Sequence, residues 1–442
     1  MNRTTHIYKK RKRKKKTMKN YSEMTKEELK EEKAKVEALY KSYRDKGLKL
    51  DMSRGKPSSD QLDKCLPILD ALTSKDDYHA SNGFDVRNYG LIDGIPEAKE
   101  LMASIMGTTA DKVIVGNNAS LTLMFDSVAR AYTFGVMGST PWSKLSKVKF
   151  LCPVPGYDRH FAVSEHFGME MINIPMNEDG PDMDLVEKCV SEDESVKGIW
   201  CVPKFSNPGG VVYSDEVVKR FANLKPKAKD FRIYWDNAYV VHYLYDEEIE
   251  IPDIISECEK AGNPDMVYEF ASTSKISFAG GGISAIASSK TNIEDILKTL
   301  KMQTIGSDKI NQLRHVRYFK DKEGVLKHMK KMADDLRPRF ELVCDTLNKE
   351  LGGLGCGTFT TPKGGYFIMY TSLDGCATRI IDLCKEAGVV MTGPGATFPY
   401  HKDPDDSIIR ISPSYPSVED LGQAAEVFSV CVRLATLEKF MA

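Results

Sequence analysis

Apolar and polar positions recur along this chain in blocks that predict an ordered series of helices and strands. Residues 22–47 are rich in Glu and Lys and carry apolar side chains at helical spacing, which predicts an exposed amphipathic helix. Those apolar positions are Leu29, Val36, Leu39 and Tyr43. The segment 51–60 then ends the helical pattern, because Gly55 and Pro57 favour a turn.

From about residue 97 onward, helical patterns alternate with short apolar runs. Most of these runs are continuously apolar, as expected for strands that are buried on both faces of a mostly parallel sheet. The predicted strands are residues 112–116, 147–155, 170–176, 196–203, 230–239 and 266–272. Beyond residue 320, a long helical pattern precedes two more strands, GGYFIMYTS and SIIRISPSY, which belong to a second region.

This order of elements predicts an α/β fold in which helices cover both faces of a mostly parallel, mixed sheet, with a smaller α/β domain beside it. The length of 442 residues suits one large domain and one small domain. We expect a disordered basic extension at 1–18, a small domain built from 19–67 and 331–442, and a large domain at 68–330.

Charge is unevenly distributed along the chain. Residues 1–17 carry nine Lys or Arg and no acid, whereas the whole chain has a net charge of −1, so the remainder has a net charge of about −10. A mildly acidic body argues against nucleic-acid binding by the main domain. The basic head is interpreted as a disordered extension or, alternatively, as an anion-binding tail. No apolar stretch follows it, which argues against a secretory signal, and no segment is apolar for long enough to span a membrane.

The ten cysteines are scattered without a C-x-x-C pair, and the eight histidines have no metal-ligand spacing. We therefore expect reduced thiols, no metal site and a cytoplasmic location.

Polar side chains follow several predicted strands at their carboxyl ends, where active sites of α/β sheets collect. Asn117 and Asn118 lie in the turn GNNASL (116–121), which leads into a helix, and backbone N–H groups at a helix start suit a phosphate. The same residue types are common N-caps. Tyr157 and His160 follow the next strand, where an aromatic ring can stack on a flat ligand or pack in the core.

Two further strands end in SNPGG (206–210) and DNAY (236–239). Asn207 offers a directed amide donor, although Asn-Pro-Gly is also a turn sequence. Asp236 follows the mostly apolar and aromatic stretch FRIYW, so its carboxylate needs a cationic partner, and the protonated ring nitrogen of a pyridoxal cofactor is one. Tyr239 is placed to bond the phenolic oxygen of such a ring. An N-cap Asp beside a core Tyr is the alternative.

The segment ASTSKISFAGGG (271–282) follows the last of these strands. The primary amine of Lys275 can form a Schiff base with an aldehyde, most readily when its surroundings lower its pKa. Ser272 and Ser274 are natural phosphate donors, and the glycines allow close backbone approach. In the second region, Arg410 presents a guanidinium that can bind a carboxylate through two bonds or form a surface ion pair.

Taken in this order, the motifs resemble those of fold-type I pyridoxal-phosphate-dependent aminotransferases of class I/II, most of all the bacterial aspartate aminotransferases of subgroup Ic. The resemblance covers nearly everything from about residue 20 to the end. The matching motifs are DMSRGKPS, RNYGLIDGIPE, VGNNASLTLMFD, PVPGYDRH, SNPGG, WDNAY, STSK and RISPSYP.

The resemblance implies three catalytic residues. Lys275 resembles the lysine that links the cofactor covalently and later moves a proton at the substrate Cα. Asp236 resembles the carboxylate that keeps the pyridine nitrogen protonated. Tyr239 resembles the residue that, with Asn207, hydrogen-bonds the ring oxygen O3′.

The resemblance also implies binding roles. Tyr157 stands where many relatives carry a stacking Trp. Tyr89 resembles a tyrosine that reaches the phosphate of the neighbouring subunit, which implies a homodimer with shared sites. Arg410 resembles the clamp for the substrate α-carboxylate, with Gly55 closing over it and Asn207 beside it. The remaining implied cofactor contacts are Asn117, Asn118, Ala119, Ser272 and Ser274.

The sequence departs from the family pattern at the phosphate. Relatives commonly carry an arginine seven or eight residues after the lysine, and here those positions are Gly282 and Ile283. An acidic substrate also needs a second cation for its distal carboxylate. The candidates for that cation are Arg54, Lys56, Arg314 and Arg317.

The resemblance therefore implies an aminotransferase that moves an amino group between L-aspartate and 2-oxoglutarate by a ping-pong mechanism. The alternatives are an aminotransferase for aromatic or alanine-like substrates, a pyridoxal-phosphate-dependent C–S β-lyase, and a sensor or regulator built on the same fold. The regulator needs an N-terminal DNA-binding domain, and too few residues precede the first predicted helix for one. A nucleic-acid-binding role for the basic head is a further alternative, which deletion of residues 1–17 would test.

Overall fold

The computed structural model describes residues 19–442, and the extension predicted at 1–18 lies outside the described residues. Within 19–442 the helices are α1 (Lys26–Arg44), α2 (Ser59–Asp63), α3 (Pro96–Met106), α4 (Ser120–Phe134), α5 (Asp158–His166), α6 (Met183–Glu192), α7 (Asp215–Ala222), α8 (Ile254–Lys260), α9 (Lys290–Gln303), α10 (Lys309–Phe319), α11 (Lys322–Leu351), α12 (Ala377–Glu386) and α13 (Val418–Met441).

The strands in the same part of the chain are β1 (Leu50–Asp51), β2 (Val113–Val115), β3 (Lys149–Val154), β4 (Glu170–Asn177), β5 (Gly180–Pro181), β6 (Val196–Cys201), β7 (Arg232–Asp236), β8 (Val267–Ser272), β9 (Ser284–Ala287), β10 (Gly357–Phe359), β11 (Ile368–Ser372), β12 (Val389–Val390) and β13 (Ile408–Ile411). All of the predicted strands are present, each within a few residues of its predicted limits.

An eight-stranded sheet forms the centre of the molecule, in the order β2-β9-β8-β7-β6-β3-β4-β5. The strands from β8 to β4 pair in parallel, whereas β9 is antiparallel to both of its neighbours and β5 is antiparallel to β4. The sheet is thus mostly parallel and mixed, as predicted, although the antiparallel strand β9 was not anticipated from its short run of small residues.

Successive residues of the central strands pack into separate cores on the two faces of this sheet. Ile233 and Trp235 belong to a core that α3, α6, α7, α8 and α10 cover. Tyr234, which lies between them in the chain, belongs to a second core with α4, α5 and α9. Burial on both faces explains why these strands are continuously apolar.

The two ends of the chain share a third core. It joins α1, the C-terminal part of α11, α12 and α13 with strands β11 and β13. The face of α1 that packs there differs from the prediction: Leu29, Val36 and Tyr40 are buried, whereas Leu39 is 38% exposed. The Tyr40 hydroxyl donates to the Leu383 carbonyl oxygen at 3.0 Å, which fixes that face against α12.

None of the helices in residues 19–442 combines the length and the apolar character needed to cross a bilayer. All ten cysteines lie in this part of the chain, and none of them forms a disulfide.

Candidate active site

Lys275 lies in a tight helical turn that directly follows β8. The backbone N–H groups of Ile276 and Ser277 both donate to the Thr273 carbonyl oxygen, at 2.9 and 2.7 Å. The Ser277 hydroxyl also contacts Nε2 of His315 at 2.8 Å. The turn is therefore anchored at its base, and the lysine projects from a fixed backbone.

The Lys275 side chain is partly buried between two aromatic rings. Its Nζ lies 4.8 Å from the ring centroid of Tyr239 and 5.9 Å from that of Tyr366. Burial lowers the pKa of the lysine below its ordinary value, Asp236 opposes this shift, and Arg410 adds to it. A lowered pKa favours the uncharged amine, which is the nucleophilic form.

Asp236 ends β7 and is 2% exposed. Its Oδ2 lies 3.0 Å from Nε2 of His160, and the His160 ring stacks on Trp200 at a centroid distance of 4.6 Å. Its other oxygen, Oδ1, is buried and has no hydrogen-bond partner within residues 19–442. Because buried polar atoms nearly always have a partner, this oxygen marks a position for a donor that a ligand would bring.

Two tyrosines surround these groups. Tyr239 is buried, and burial raises its pKa well above the ordinary value, with the charge of Asp236 adding to the effect and Arg410 opposing it. Tyr157 packs edge-on against His160 at a centroid distance of 5.0 Å, and burial raises its pKa to about 12. Both phenols are therefore protonated donors at neutral pH.

The predicted phosphate turn lies at the start of α4. The N-cap of this helix is Ala119, which supplies no side-chain cap, and the first turn contains no acid. Asn117 does not act as the alternative N-cap, because its Oδ1 accepts from the backbone N–H of Asp308 at 3.3 Å. Within residues 19–442, no side chain thus caps the first N–H groups of α4, which suits an anion.

The serines of the lysine turn join this cradle. The Ser274 hydroxyl donates to the Asn118 carbonyl oxygen at 2.9 Å, and the Ser272 hydroxyl lies 3.1 Å from that of Ser274. The Asn118 side chain donates to the Ala279 carbonyl oxygen at 3.3 Å. These contacts bring together the turn before α4 and the segment that carries Lys275.

The position of the expected phosphate arginine has no room for a side chain. A Cβ at Gly282 would lie 2.7 Å from Thr273 Oγ1 and 3.0 Å from the Phe278 carbonyl oxygen. Ile283 is fully buried in the core, and its backbone N–H donates to Thr273 Oγ1 at 2.9 Å. An arginine at position 282 would therefore clash with the turn that carries Lys275, and position 283 faces the core.

Arg410 lies on β13 and is held beside Asn207. Its Nη1 donates to Asp158 Oδ1 at 3.0 Å and to Asn207 Oδ1 at 3.3 Å, and its Nε donates to Thr392 Oγ1 at 3.4 Å. The guanidinium lies 4.9 Å from the ring centroid of Phe367. A Cβ at Gly55 would lie only 2.1 Å from Cζ of that same ring, so Gly55 borders the arginine through Phe367.

The four candidates for a second substrate cation have contacts elsewhere. Arg54 pairs with Asp51, Lys56 lies over the Tyr415 ring, Arg314 donates to the Asn311 side chain, and Arg317 donates to the backbone of Asp77. Tyr89, the residue predicted to reach a neighbouring subunit, is 76% exposed.

Pyridoxal phosphate, the cofactor that the resemblance implies, fits this set of groups. The unpartnered Asp236 oxygen matches a ring N–H, the lysine amine matches an aldehyde, and the uncapped start of α4 matches a phosphate.

Sequence reasoning missed three residues of this site. Asp158 was inside a quoted motif, and its acidic side chain between Tyr157 and His160 is a signal for a partner of Arg410. Tyr366 lies in the strand pattern GGYFIMYTS and gave no signal of its own. His242, whose ring packs edge-on against that of Tyr239 at a centroid distance of 5.6 Å, interrupts the apolar run YVVHYLY, where a lone polar residue could have been noticed.

Comparison with known proteins agrees with this geometry. The chain matches the family described as "Aspartate amino-transferase" over residues 24–442. It is 45% identical over 406 residues to an aspartate aminotransferase of Corynebacterium glutamicum, which covers 92% of this chain and 94% of that protein.

Two solved structures extend the comparison. A crystal structure of an aspartate transaminase from Corynebacterium glutamicum has a TM-score of 0.92 and 44% identity, covering 94% of this chain and 98% of that one. An α-aminoadipate aminotransferase of Thermus thermophilus, solved with N-(5′-phosphopyridoxyl)-L-leucine, has a TM-score of 0.72 and 17% identity, covering 89% and 94%. The latter likeness shows the fold.

Proposed function

Because this chain belongs to the aspartate amino-transferase family, and so to the fold-type I pyridoxal-phosphate-dependent aminotransferases, we propose that it exchanges an amino group between L-aspartate and 2-oxoglutarate by a ping-pong mechanism. The observation that carries the choice of substrate is the 45% identity, along 92% of the chain, to a protein named aspartate aminotransferase.

The cofactor, when bound, supplies an aldehyde that carries the amino group and a ring that withdraws electrons from the substrate Cα. In our proposal Lys275 holds the cofactor and then moves the proton at the substrate Cα, for which a lowered pKa suits its amine. Asp236 Oδ1 receives the ring N–H, and His160 fixes the carboxylate from the other side. Tyr239 and Asn207 donate to the ring oxygen, and Tyr157 lies against the ring.

We propose that neutral donors bind the phosphate. These are the free N–H groups at the start of α4 and the polar groups of the turns beside it. The uncapped N-terminus and the absence of room at Gly282 support this assignment. The residues involved are Asn117, Asn118, Ala119, Ser272 and Ser274.

Arg410 binds the substrate α-carboxylate in this proposal. Its present contacts use Nε and Nη1, which leaves Nη2 for one carboxylate oxygen, and Asn207 lies at the same place. In our proposal residues 19–67 and 331–442 form a small domain, and residues 68–330 form a large domain that holds the cofactor. Gly55 belongs to the small domain and closes over the substrate. Closure of this kind excludes water from the reaction.

We further propose that the enzyme is a cytoplasmic homodimer in which Tyr89 of one subunit completes the phosphate site of the other. An aromatic side chain that is 76% exposed in the single chain supports this role. Size determination by light scattering tests the dimer directly.

The test of the proposed function is a spectrum of the purified protein with pyridoxal phosphate, followed by half-reactions with single amino acids. We expect the visible band to bleach with aspartate and with glutamate, and to return with 2-oxoglutarate. Bleaching by phenylalanine or alanine but not by aspartate would contradict the substrate proposal, and release of a thiol from a cysteine conjugate would instead indicate the lyase.

A further inference from the structure

Arg410, the residue proposed to bind the substrate α-carboxylate, bonds a carboxylate of the protein itself. Its Nη1 donates to Asp158 Oδ1 at 3.0 Å. A guanidinium binds carboxylates through a fork of N–H donors, whether the carboxylate belongs to a side chain or to a ligand. Asp158 therefore takes one of the donors that a substrate carboxylate would use.

Arg410 has enough other contacts to keep its orientation without Asp158. Nη1 also donates to Asn207 Oδ1 at 3.3 Å, and Nε donates to Thr392 Oγ1 at 3.4 Å. The guanidinium lies 4.9 Å from the ring centroid of Phe367. These three neighbours are uncharged, so none of them supplies the negative charge that Asp158 brings.

The contribution of Asp158 is its charge. Arg410 is 9% exposed, and Asp158 is its one ion-pair partner in the part of the chain that the structure describes. A largely buried cation without a counterion is costly. A carboxylate of the protein can compensate the guanidinium before a substrate binds, and the substrate carboxylate can take over that function afterwards.

Asp158 itself is held by little else. Its side chain is 28% exposed, and Arg410 Nη1 is its one hydrogen-bond partner among residues 19–442. It is the first residue of α5, whose N-cap Tyr157 supplies no side-chain cap. The start of a helix stabilises a negative charge, so the carboxylate retains a favourable environment when it turns away from Arg410.

We propose that Asp158 is a resident counterion of Arg410 that the substrate α-carboxylate displaces, so that the arginine then binds the substrate through Nη1 as well as Nη2. The inference rests on the proposed role of Arg410. Asp158 competes with each carboxylate that enters the site, and the apparent affinity falls with the fraction of molecules in which it holds Nη1. Asp158 thereby sets the concentration range in which the enzyme binds its substrates.

The test uses the cofactor-loaded enzyme and succinate, which has the two carboxylates of L-aspartate but no amino group to transfer. We expect Asp158→Asn to bind succinate about fivefold more tightly, since a partly exposed ion pair contributes on this order. Inhibition of the half-reaction with aspartate measures this affinity. KM for aspartate and for 2-oxoglutarate should fall by a similar factor with kcat retained, a split that a purely structural role would not produce.

Asp184→Asn is the matched control. Asp184 also lies in the first turn of a helix, α6, and also accepts from an arginine, Arg220 Nη2 at 2.5 Å. This variant should leave succinate binding unchanged. If Asp158→Asn does not fold, Asp158→Ser carries the test, because serine is well tolerated at helix starts and likewise removes the charge.

A crystal structure of the succinate complex distinguishes displacement from simple repulsion between two anions. We expect the Asp158 carboxylate to have left Arg410 and a succinate carboxylate to contact both Nη1 and Nη2. A complex in which Asp158 still accepts from Nη1 would contradict the proposal.

The outcomes also separate this inference from the proposed function. Succinate binding that is as strong in Arg410→Met as in the wild type would contradict the role of Arg410 itself. Binding that is lost in Arg410→Met but is unchanged or weaker in a folded Asp158→Asn would contradict the role of Asp158 alone.

Discussion

Two buried aspartates lie six residues apart on either side of β7, and their surroundings differ. Asp230, which precedes the strand, has both oxygens bonded: Oδ1 accepts from Lys197 Nζ at 2.6 Å and Oδ2 from Trp142 Nε1 at 2.8 Å. Asp236, which ends the strand, has one oxygen 3.0 Å from His160 Nε2 and one that has no partner among the described residues 19–442. At the first end of β7 the protein itself bonds both carboxylate oxygens. At the second end one carboxylate oxygen remains for a ligand to bond.

The comparison teaches which end of the sheet is built for stability and which for binding. A buried charge pair with all its bonds made is lost only at a large cost. A buried oxygen without a bond raises the energy of the protein alone, and it persists where a ligand completes it. The position agrees with the general rule that ligands of parallel sheets bind at the carboxyl ends of the strands.

The largest expected effect is that of Lys275→Ala. Removing the amine should abolish the covalent linkage to the cofactor and lower turnover on the order of 10⁴-fold, because both the attachment point and the proton carrier are lost. Borohydride reduction followed by peptide mass spectrometry locates the linkage. Lys204→Met is the control, since Lys204 is a buried lysine whose Nζ bonds the Val240 carbonyl oxygen at 2.9 Å. A covalent cofactor linkage that persists in Lys275→Ala would contradict the assignment of the cofactor site to this end of the sheet.

The second prediction contrasts Asp236→Asn with Asp230→Asn. We expect Asp236→Asn to lower kcat by about 10²–10³-fold with little loss of stability, because it removes a charge that acts on the ligand. Asp230→Asn leaves the Lys197 ammonium buried without a counterion and should cost about 3–5 kcal/mol of the free energy of unfolding, with kcat retained. Urea denaturation and steady-state assays measure both. Equal effects of the two variants on kcat would contradict the distinction between a structural end of β7 at Asp230 and a ligand-binding end at Asp236.

Arg410→Lys should have a smaller effect at the binding end. The lysine keeps the charge, but its ammonium does not place a donor where the planar guanidinium places Nη2, so we expect KM for both amino acid and oxo acid to rise by about 10–10²-fold. Arg379→Lys is the matched control, because Arg379 forms two bonds to Glu438 on the surface, at 2.8 and 3.0 Å. A similar rise of KM in the control would show that the effect is not one of substrate binding.

The smallest effect concerns Glu269, a buried carboxyl in the middle of β8, one oxygen of which also has no partner in the part of the chain that the structure describes. Burial raises its pKa to about 8, so the folded protein keeps a proton that the unfolded chain loses near its ordinary value of 4.5. Stability is therefore expected to fall as pH rises from about 5 to about 8. Glu269→Gln should flatten this dependence and raise the melting temperature at pH 8 by a few degrees.

The control for that prediction is Glu248→Gln, an exposed carboxyl, which should leave the pH dependence of melting as it is. A lower melting temperature of Glu269→Gln at pH 8 would contradict this prediction. Asp236 and Glu269 thus test two explanations for a buried carboxylate oxygen without a hydrogen bond: a ligand that binds there, or protonation of the carboxyl.

Much of the fold could be predicted because the central strands are apolar on both faces and stand between helical patterns. The strands β3, β6, β7 and β8 follow from this, and so does the meeting of Lys275, Asp236 and Tyr239 at one end of the sheet. The buried face of α1 could not be predicted in full, because Leu39 and Tyr40 are adjacent and only packing against α12 decides between them.

The steric state of Gly282 and the polar surroundings of the His242 ring were equally inaccessible to sequence reasoning. The first depends on how closely Thr273 and Phe278 approach across a turn. The second depends on which polar atoms surround a side chain in three dimensions, whereas periodicity reports only whether that side chain is buried.

The glycine at position 282 has a consequence for how the enzyme responds to salt. Where an arginine binds a phosphate, dissolved ions screen the attraction and the ligand loosens as their concentration rises. In our proposal the phosphate is bound by amide and hydroxyl groups around an uncapped helix start, so salt screens only the partial charge of that helix end and no arginine charge. Cofactor retention by this protein should therefore depend less on salt concentration than in a protein that binds the phosphate through an arginine.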